Sequence, residues 1–258
     1  MKSEASVGLS CSGPIATLLI DNPPLNILTI ALREALFQRI VELENRRDIR
    51  VVVVQTGGNR AFSVGSDIKE FPKDELGGVA KIRFEQYLLD RLAGLSAVTI
   101  AKVGGLALGG GAELMLACDF RIASQQAEIG FPEIRLGALP AAGGMKRLTR
   151  EIGPLRAREL VLLGRPIGAG RAAELGIVNS VVPAEDLDAE VDRLAQELAT
   201  LPVDAIGLAK RVIAASALSG QMDTAEAEAF GALFRGADLA EGLAAFLEKR
   251  QARFNRQQ

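Results

Sequence analysis

Val98-Thr-Ile-Ala-Lys-Val-Gly-Gly-Leu-Ala-Leu-Gly-Gly-Gly-Ala-Glu-Leu-Met-Leu-Ala117 changes its structural period halfway along. Val98–Val103 is β-branched and apolar and stops at Gly104-Gly105, which reads as a strand ending in a turn. Gly109-Gly-Gly111 then opens Ala112–Ala117, a compact helix. A strand that feeds a helix across glycines is the unit of an α/β architecture with at least some parallel pairing.

Working outward, the same alternation recurs. Ala16–Ile20 is a short apolar run that ends at the turn signal Asp21-Asn-Pro-Pro24. From Thr29 the period becomes helical, with Leu32, Leu36, Ile40 and Leu43 on one face and charged residues between them. Val51–Val54 is a β-branched run closed by Gly57-Gly58, the pattern of a strand buried on both faces. Residues 80–95 return to helical spacing through Ile82, Leu88, Leu92 and Leu95, and Phe120–Ala123 and Ala127–Gly130 read as short strands. From about Pro183 the pattern is helical. Leu187, Val191, Leu194 and Leu198 mark one helix, and Ile206, Ala209, Val212 and Ile213 the next. Asp223-x-x-Glu226 and Asp238-x-x-Glu241 have the form of capping boxes with Asp in place of Ser or Thr. The expected division is a core over 1–199 and a helical appendage over 200–258, whose basic tail from Lys249 to Arg256 reads as a solvated face.

Composition removes several chemistries. The 258 residues contain no histidine, so Ser-His and Cys-His nucleophile pairs, His-ligated zinc and an imidazole base are all excluded. Acid–base work near neutral pH falls to carboxylates, Lys, the lone Tyr87 or a thiol. Cys11 and Cys118 form no C-x-x-C, which suggests a reducing compartment without a disulfide framework. A net charge of −2 gives no chain-wide pull on phosphate backbones, so nucleic acid is not the expected partner. The first dozen residues lack the apolar run of a signal peptide, and no apolar stretch reaches the roughly 18 residues of a membrane span. The expectation is a soluble, cytoplasmic protein with no membrane partner.

Glycine-rich stretches are the candidate sites. Gly168-Ala-Gly170-Arg-Ala-Ala173 matches G-x-G-x-x-A in form, but no strand is read before it and no acidic partner follows, so it reads as a loop entering a helix. Ala61-Phe-Ser-Val-Gly-Ser-Asp67 follows a strand. It is either a surface loop with an N-cap at Ser66 or Asp67 or a site of free backbone N–H donors. Three glycines at Gly109–Gly111 are costly by propensity and make sense if a ligand oxygen must touch the backbone at the positive end of a helix. Glu113 then lies one turn on, either as an acid–base group or as a first-turn acid that complements the dipole. Glu133, after Pro132, would by itself read as an exposed loop carboxylate.

Together, Ala61–Glu70, Gly105–Glu113 and Phe131–Gly144 stand in the order and spacing of the crotonase superfamily, and the chain resembles an enoyl-CoA hydratase/isomerase from about Ala16 to Phe254. The resemblance implies a spiral core of repeated ββα units with a C-terminal helical trimerisation region. It implies that the N–H groups of Ser66 and Gly110 form an oxyanion hole for the thioester oxygen of an acyl-CoA. It places the two glutamates of family hydratases at Glu113 and Glu133, the first to activate water and the second to protonate Cα. Arg60, Val64 and Lys69 match positions near the adenine and phosphates of coenzyme A, and Phe230 and Lys249 match C-terminal positions contributed across a subunit boundary. No metal and no separate cofactor are implied, because coenzyme A enters as part of the substrate; a trimer or a hexamer of doubled trimers is.

The chain departs from the family pattern in places. Ser66 replaces a commoner Ala, a change expected to be silent because only its N–H would be used. Phe131 replaces a Gln, which removes a polar neighbour of Glu133. Ala141 replaces a Gly, and Met145-Lys146 replace a Thr-Gln pair. The expected reaction is hydration of a trans-2-enoyl-CoA. Double-bond isomerisation, other acyl-CoA chemistry and a non-catalytic CoA- or RNA-binding relative are the alternatives.

Overall fold

Along Val51–Val54 the side chains alternate between two separate apolar clusters: Val52 and Val54 enter the larger one, Val51 and Val53 the smaller. All four are buried, so this strand does lie between two covered faces. The computed structural model describes residues 5–216 and, beyond them, 237, 241–242, 244–245, 248–251 and 253.

The elements run β1 (Ser6–Ser12), β2 (Ile15–Asp21), α1 (Ile30–Glu44), β3 (Val51–Thr56), β4 (Ala61–Ser63), α2 (Glu75–Ala93), β5 (Val98–Val103), β6 (Leu106–Leu108), α3 (Gly110–Leu116), β7 (Phe120–Ser124), β8 (Glu128–Gly130), α4 (Gly144–Leu163), β9 (Ile167–Gly168), α5 (Ala169–Glu174), β10 (Ser180–Val182), α6 (Leu187–Ala199) and α7 (Val203–Ser216). One sheet has the order β1-β2-β3-β5-β7-β10 and a second the order β4-β6-β8-β9. Among the described residues, only the β1–β2 and β8–β9 pairings are antiparallel. Three times in succession the chain runs through the first sheet, then the second, then into a helix: β3-β4-α2, β5-β6-α3 and β7-β8-α4. Each pass adds one parallel strand beside its predecessor in both sheets, which is a spiral of ββα units. The far face of the first sheet is covered by Leu187, Val191, Ala195 and Leu198 of α6.

Several elements escaped the sequence pattern, each for a local reason. β1 is a mostly exposed edge strand with few β-branched residues, paired to β2 across Gly13 at φ +57°. α4 is interrupted by Gly153 at φ +76° followed by Pro154, which breaks the helical period. The Gly168–Ala173 stretch does follow a strand, contrary to expectation. That strand, β9, has two residues and pairs antiparallel at an edge, so no dinucleotide-binding βαβ unit results. Asp223, Glu226 and Asp238 of the expected capping boxes lie outside the described residues.

Gly111 is where the two layers touch most closely. A Cβ there would stand 2.1 Å from the Ser63 carbonyl oxygen at the end of β4. Gly111→Ala should therefore destabilise the fold by about 3 kcal/mol or more, because the obstacle is backbone that cannot swing away. Gly170→Ala, in α5 with nothing within 4 Å of its Cβ position, should be neutral or stabilising by up to about 1 kcal/mol. Urea unfolding of the two variants measures the contrast, and a Gly111→Ala chain as stable as the parent would contradict the β4–α3 packing.

Candidate active site

Four glycines make room for the chemistry, and each does so differently. Gly109 precedes α3 with φ +53°, and a Cβ on it would meet Glu133 Oε1 at 2.9 Å. A Cβ on Gly144 would meet Glu113 Oε1 at 2.6 Å. A Cβ on Gly65, at φ +88°, would lie 2.8 Å from the Gly110 nitrogen, and one on Gly110 would lie 3.7 Å from the Ser66 nitrogen. The loop after β4 and the start of α3 are thus pressed backbone to backbone, with both carboxylates packed against glycine.

The Ser66 and Gly110 nitrogens stand side by side in this contact. Gly110 is the first residue of α3, so its N–H has no acceptor inside the helix. Among the described residues no acceptor receives the Ser66 N–H either. Asp67, not Ser66, is the local cap, and its Oδ1 accepts from Lys69 N at 2.9 Å. The Ser66 side chain is not idle, against the expectation that only its N–H matters: its Oγ accepts from Arg33 Nη2 at 2.7 Å.

Glu113 projects from α3 and is 3% exposed. Its Oε1 accepts from the Gly144 N–H at 2.8 Å. Burial, aided by the neighbouring Glu133 charge and opposed by the Gly144 N–H, pushes its carboxyl up to about 7. Glu133 sits in a 3₁₀ turn, Pro132–Leu136, that Pro132 opens. It is half-buried, and its Oε2 is enclosed with no hydrogen-bond partner. Burial raises this carboxyl too, in keeping with the fully buried Phe131 beside it in the chain. Glu133 lies against Gly109, the residue that precedes the helix carrying Glu113.

Arg60 is exposed, and its carbonyl accepts the Leu106 N–H at 3.2 Å at the base of β6. Val64 is half-buried, with its N–H donated to Leu25 O at 3.1 Å. Lys69 is exposed on a 3₁₀ turn, Ile68–Glu70. Lys249 is exposed at φ +53°, and Phe230 lies outside the described residues. Arg33, Lys81, Glu85 and Gly144 went unread in the sequence. A charged residue on an otherwise apolar helix face was the available signal for Arg33 and Glu85.

The model of one protein family, enoyl-CoA hydratase/isomerase, matches residues 11–257. A probable enoyl-CoA hydratase of Mycobacterium bovis is 37% identical over 250 residues, covering 93% of this chain and 94% of that protein. The short-chain-enoyl-CoA hydratase of Clostridium acetobutylicum is 34% identical, covering 95% and 96%. The crystal structure of an enoyl-CoA hydratase from Bacillus anthracis superposes with a TM-score of 0.92 at 32% identity, covering 98% of this chain and all of that one.

A raised carboxyl has a signature in stability. The folded chain holds the Glu113 proton more tightly than the unfolded chain, whose value is 4.5. The benefit is therefore complete below pH 4.5 and is lost as pH climbs to about 7, on the order of 3 kcal/mol in all. Glu113→Gln keeps the shape and an acceptor for Gly144 but cannot ionise. In urea unfolding it should be more stable than the parent at pH 8, by up to about 3 kcal/mol, with the gap closing towards pH 4.5. Equal stability of the two chains at pH 8 would mean that the Glu113 carboxylate is not held at a cost.

Proposed function

The chain belongs to the enoyl-CoA hydratase/isomerase family, and we propose that within it this protein adds water across the 2,3 double bond of a trans-2-enoyl-CoA. One observation supports the reading: two raised carboxyls flank the start of α3, Glu133 against Gly109 and Glu113 one turn into the helix, where Gly110 adjoins Ser66. An isomerase needs a single group to shuttle a proton, whereas hydration needs one to deprotonate water and one to protonate carbon. Both positions are filled here by glutamate.

In this reading the Ser66 and Gly110 N–H groups bind the thioester oxygen and stabilise the enolate formed when water attacks Cβ. Glu113, anchored by Gly144, takes the proton of that water, and Glu133 delivers a proton to Cα. Burial acts harder on Glu113 than on the half-buried Glu133. Both carboxyls are raised by burial, which keeps a proton available to the pair near neutral pH. This division of labour requires that proton to stand on Glu133 when substrate enters. Coenzyme A is carried in with the substrate, with Arg60, Val64 and Lys69 beside its adenine and phosphates and Lys249 contributed across a subunit boundary.

Glu113→Gln and Glu133→Gln should each lower kcat for enoyl-CoA hydration by about two orders of magnitude, with CoA-thioester binding little changed because the backbone donors remain. With a saturated acyl-CoA in heavy water, Glu113→Gln should retain Cα proton exchange and Glu133→Gln should lose it. Near-parent hydration by Glu133→Gln would reduce Glu133 to an ordinary loop carboxylate and favour isomerisation.

The same reading makes the 200–258 region an oligomerisation segment. Assembly itself is supported by apolar surface that a single copy leaves open outside that region: Leu136, Leu155 and Leu162, in the Pro132–Leu136 turn and α4, are 66%, 73% and 62% exposed. Light scattering at micromolar concentration should find a trimer or its double, and a monodisperse monomer would overturn the assignment.

A further inference from the structure

Behind the paired N–H groups lies a charged cluster that hydration by two glutamates does not call for. Arg33 of α1 is 5% exposed and Glu85 of α2 is 6% exposed. Arg33 Nε is 3.1 Å from Glu85 Oε1, its Nη1 donates to the Leu28 carbonyl, and its Nη2 donates to Ser66 Oγ at 2.7 Å. Lys81 Nζ binds the same Glu85 oxygen and reaches Ser66 Oγ at 3.3 Å. Two cations thus share one buried carboxylate and one hydroxyl. Arg33 Nη2 is also 3.6 Å from the Cβ position of Gly110, so the guanidinium adjoins both residues that carry the paired N–H groups. Arg33 and Glu85 line, with Gly110 and apolar side chains, a cavity of about 20 Å³. Gly110 is the donor residue that this small cavity shares with the cluster.

Burying a guanidinium is costly, and a pair of hydrophobic residues would join α1 to α2 at least as well. We propose that Arg33, acting through the hydroxyl of Ser66, is a positioning residue of the oxyanion hole. It holds the Ser66 N–H in line with that of Gly110 and sets a fixed positive charge behind the thioester oxygen. The inference rests on the reading of Ser66 and Gly110 as the oxyanion donors. It accounts for a serine where only a backbone N–H is otherwise required: an alanine there would leave Arg33 Nη2 without its acceptor. A fixed cation in a water-poor site stabilises an enolate oxygen more than a neutral thioester carbonyl, so its effect falls on kcat.

The test compares Ser66→Ala, Arg33→Met and Arg33→Lys with the parent. Arg33→Met leaves Lys81 and Glu85 paired, and Ser66→Ala removes a single oxygen, so it decides the matter if Arg33→Met does not fold. Two quantities are read: kcat and KM on the enoyl-CoA hydrated fastest by the parent, and the carbonyl stretch of bound [1-13C]butyryl-CoA by infrared difference spectroscopy. Ser66→Ala and Arg33→Met should each lower kcat about tenfold, less than the ~100-fold or more that follows loss of a donor itself, with KM within about twofold. Both should return part of the carbonyl downshift seen in the parent, and Arg33→Lys should recover part of kcat by restoring charge without the fork. Unchanged kcat and carbonyl frequency in Ser66→Ala would overturn the inference and leave the hydratase reading standing if Glu113→Gln is inactive. A parent chain that shows no carbonyl downshift at all would overturn the oxyanion reading beneath it.

Discussion

A carboxyl group held out of water keeps its proton to a higher pH, and the site of this protein is organised around doing that to Glu113. The side chain is enclosed by α3 and by the start of α4, and burial outweighs the backbone N–H groups of Gly144 and Ala142 that favour its charged form. More donors would return it to an ordinary acid, and more water would do the same. The enclosure depends on what is missing nearby. Any side chain on Gly144 would collide with Glu113, and any on Gly109 with Glu133. The glycines that look like a weakness in the helix are what let two carboxylates approach backbone this closely.

The two-layer spiral explains why these groups meet. Each ββα pass carries the chain from the broad sheet to the narrow one and then into a helix, and each crossing leaves a loop at the same end of the stack. The loops after β4, β6 and β8 carry Ser66, Gly109–Gly110 and Glu133, respectively. Three stretches separated by dozens of residues become neighbours because β4, β6 and β8 are adjacent parallel strands. Covering α6 on one side and α1 on the other makes the sheet a rigid platform, so small loops can hold geometry within tenths of an ångström.

The Arg33 cluster fits the same logic of fixed charge in a dry place. Its members come from α1 and α2, which pack on each other beside the site, and Ser66 is the point where that packing reaches the oxyanion loop. Glu85 compensates the guanidinium, Lys81 leans on the same oxygen and over the Phe71 ring, and Glu70 ties back to the start of α1 by accepting the Ile30 N–H. A local rule is broken here, since charges sit at positions where helix period alone asks for apolar residues. Such breaks are where function is to be looked for.

The sequence by itself determined the repeated strand-to-helix crossings and the joint presence of Glu113 and Glu133 with two glycine-rich donor loops. These depend on local period, turn chemistry and the spacing of three motifs, all of which are properties of short stretches. The absence of histidine narrowed acid–base chemistry to carboxylates, Lys, Tyr87 or a thiol before any geometry was known. Tertiary structure alone decided the rest. Gly111 is obligatory because of a carbonyl on β4, Glu113 is raised because α4 closes over it, and Ser66 matters for its hydroxyl because Arg33 arrives from α1. The edge strand β1 and the broken helix α4 were hidden for a related reason: exposure and a Gly-Pro step erase the periodic signal, while pairing and packing still impose the structure. Burial, desolvation and close approach are properties of what surrounds a residue, and the surroundings here come from segments far apart in the chain.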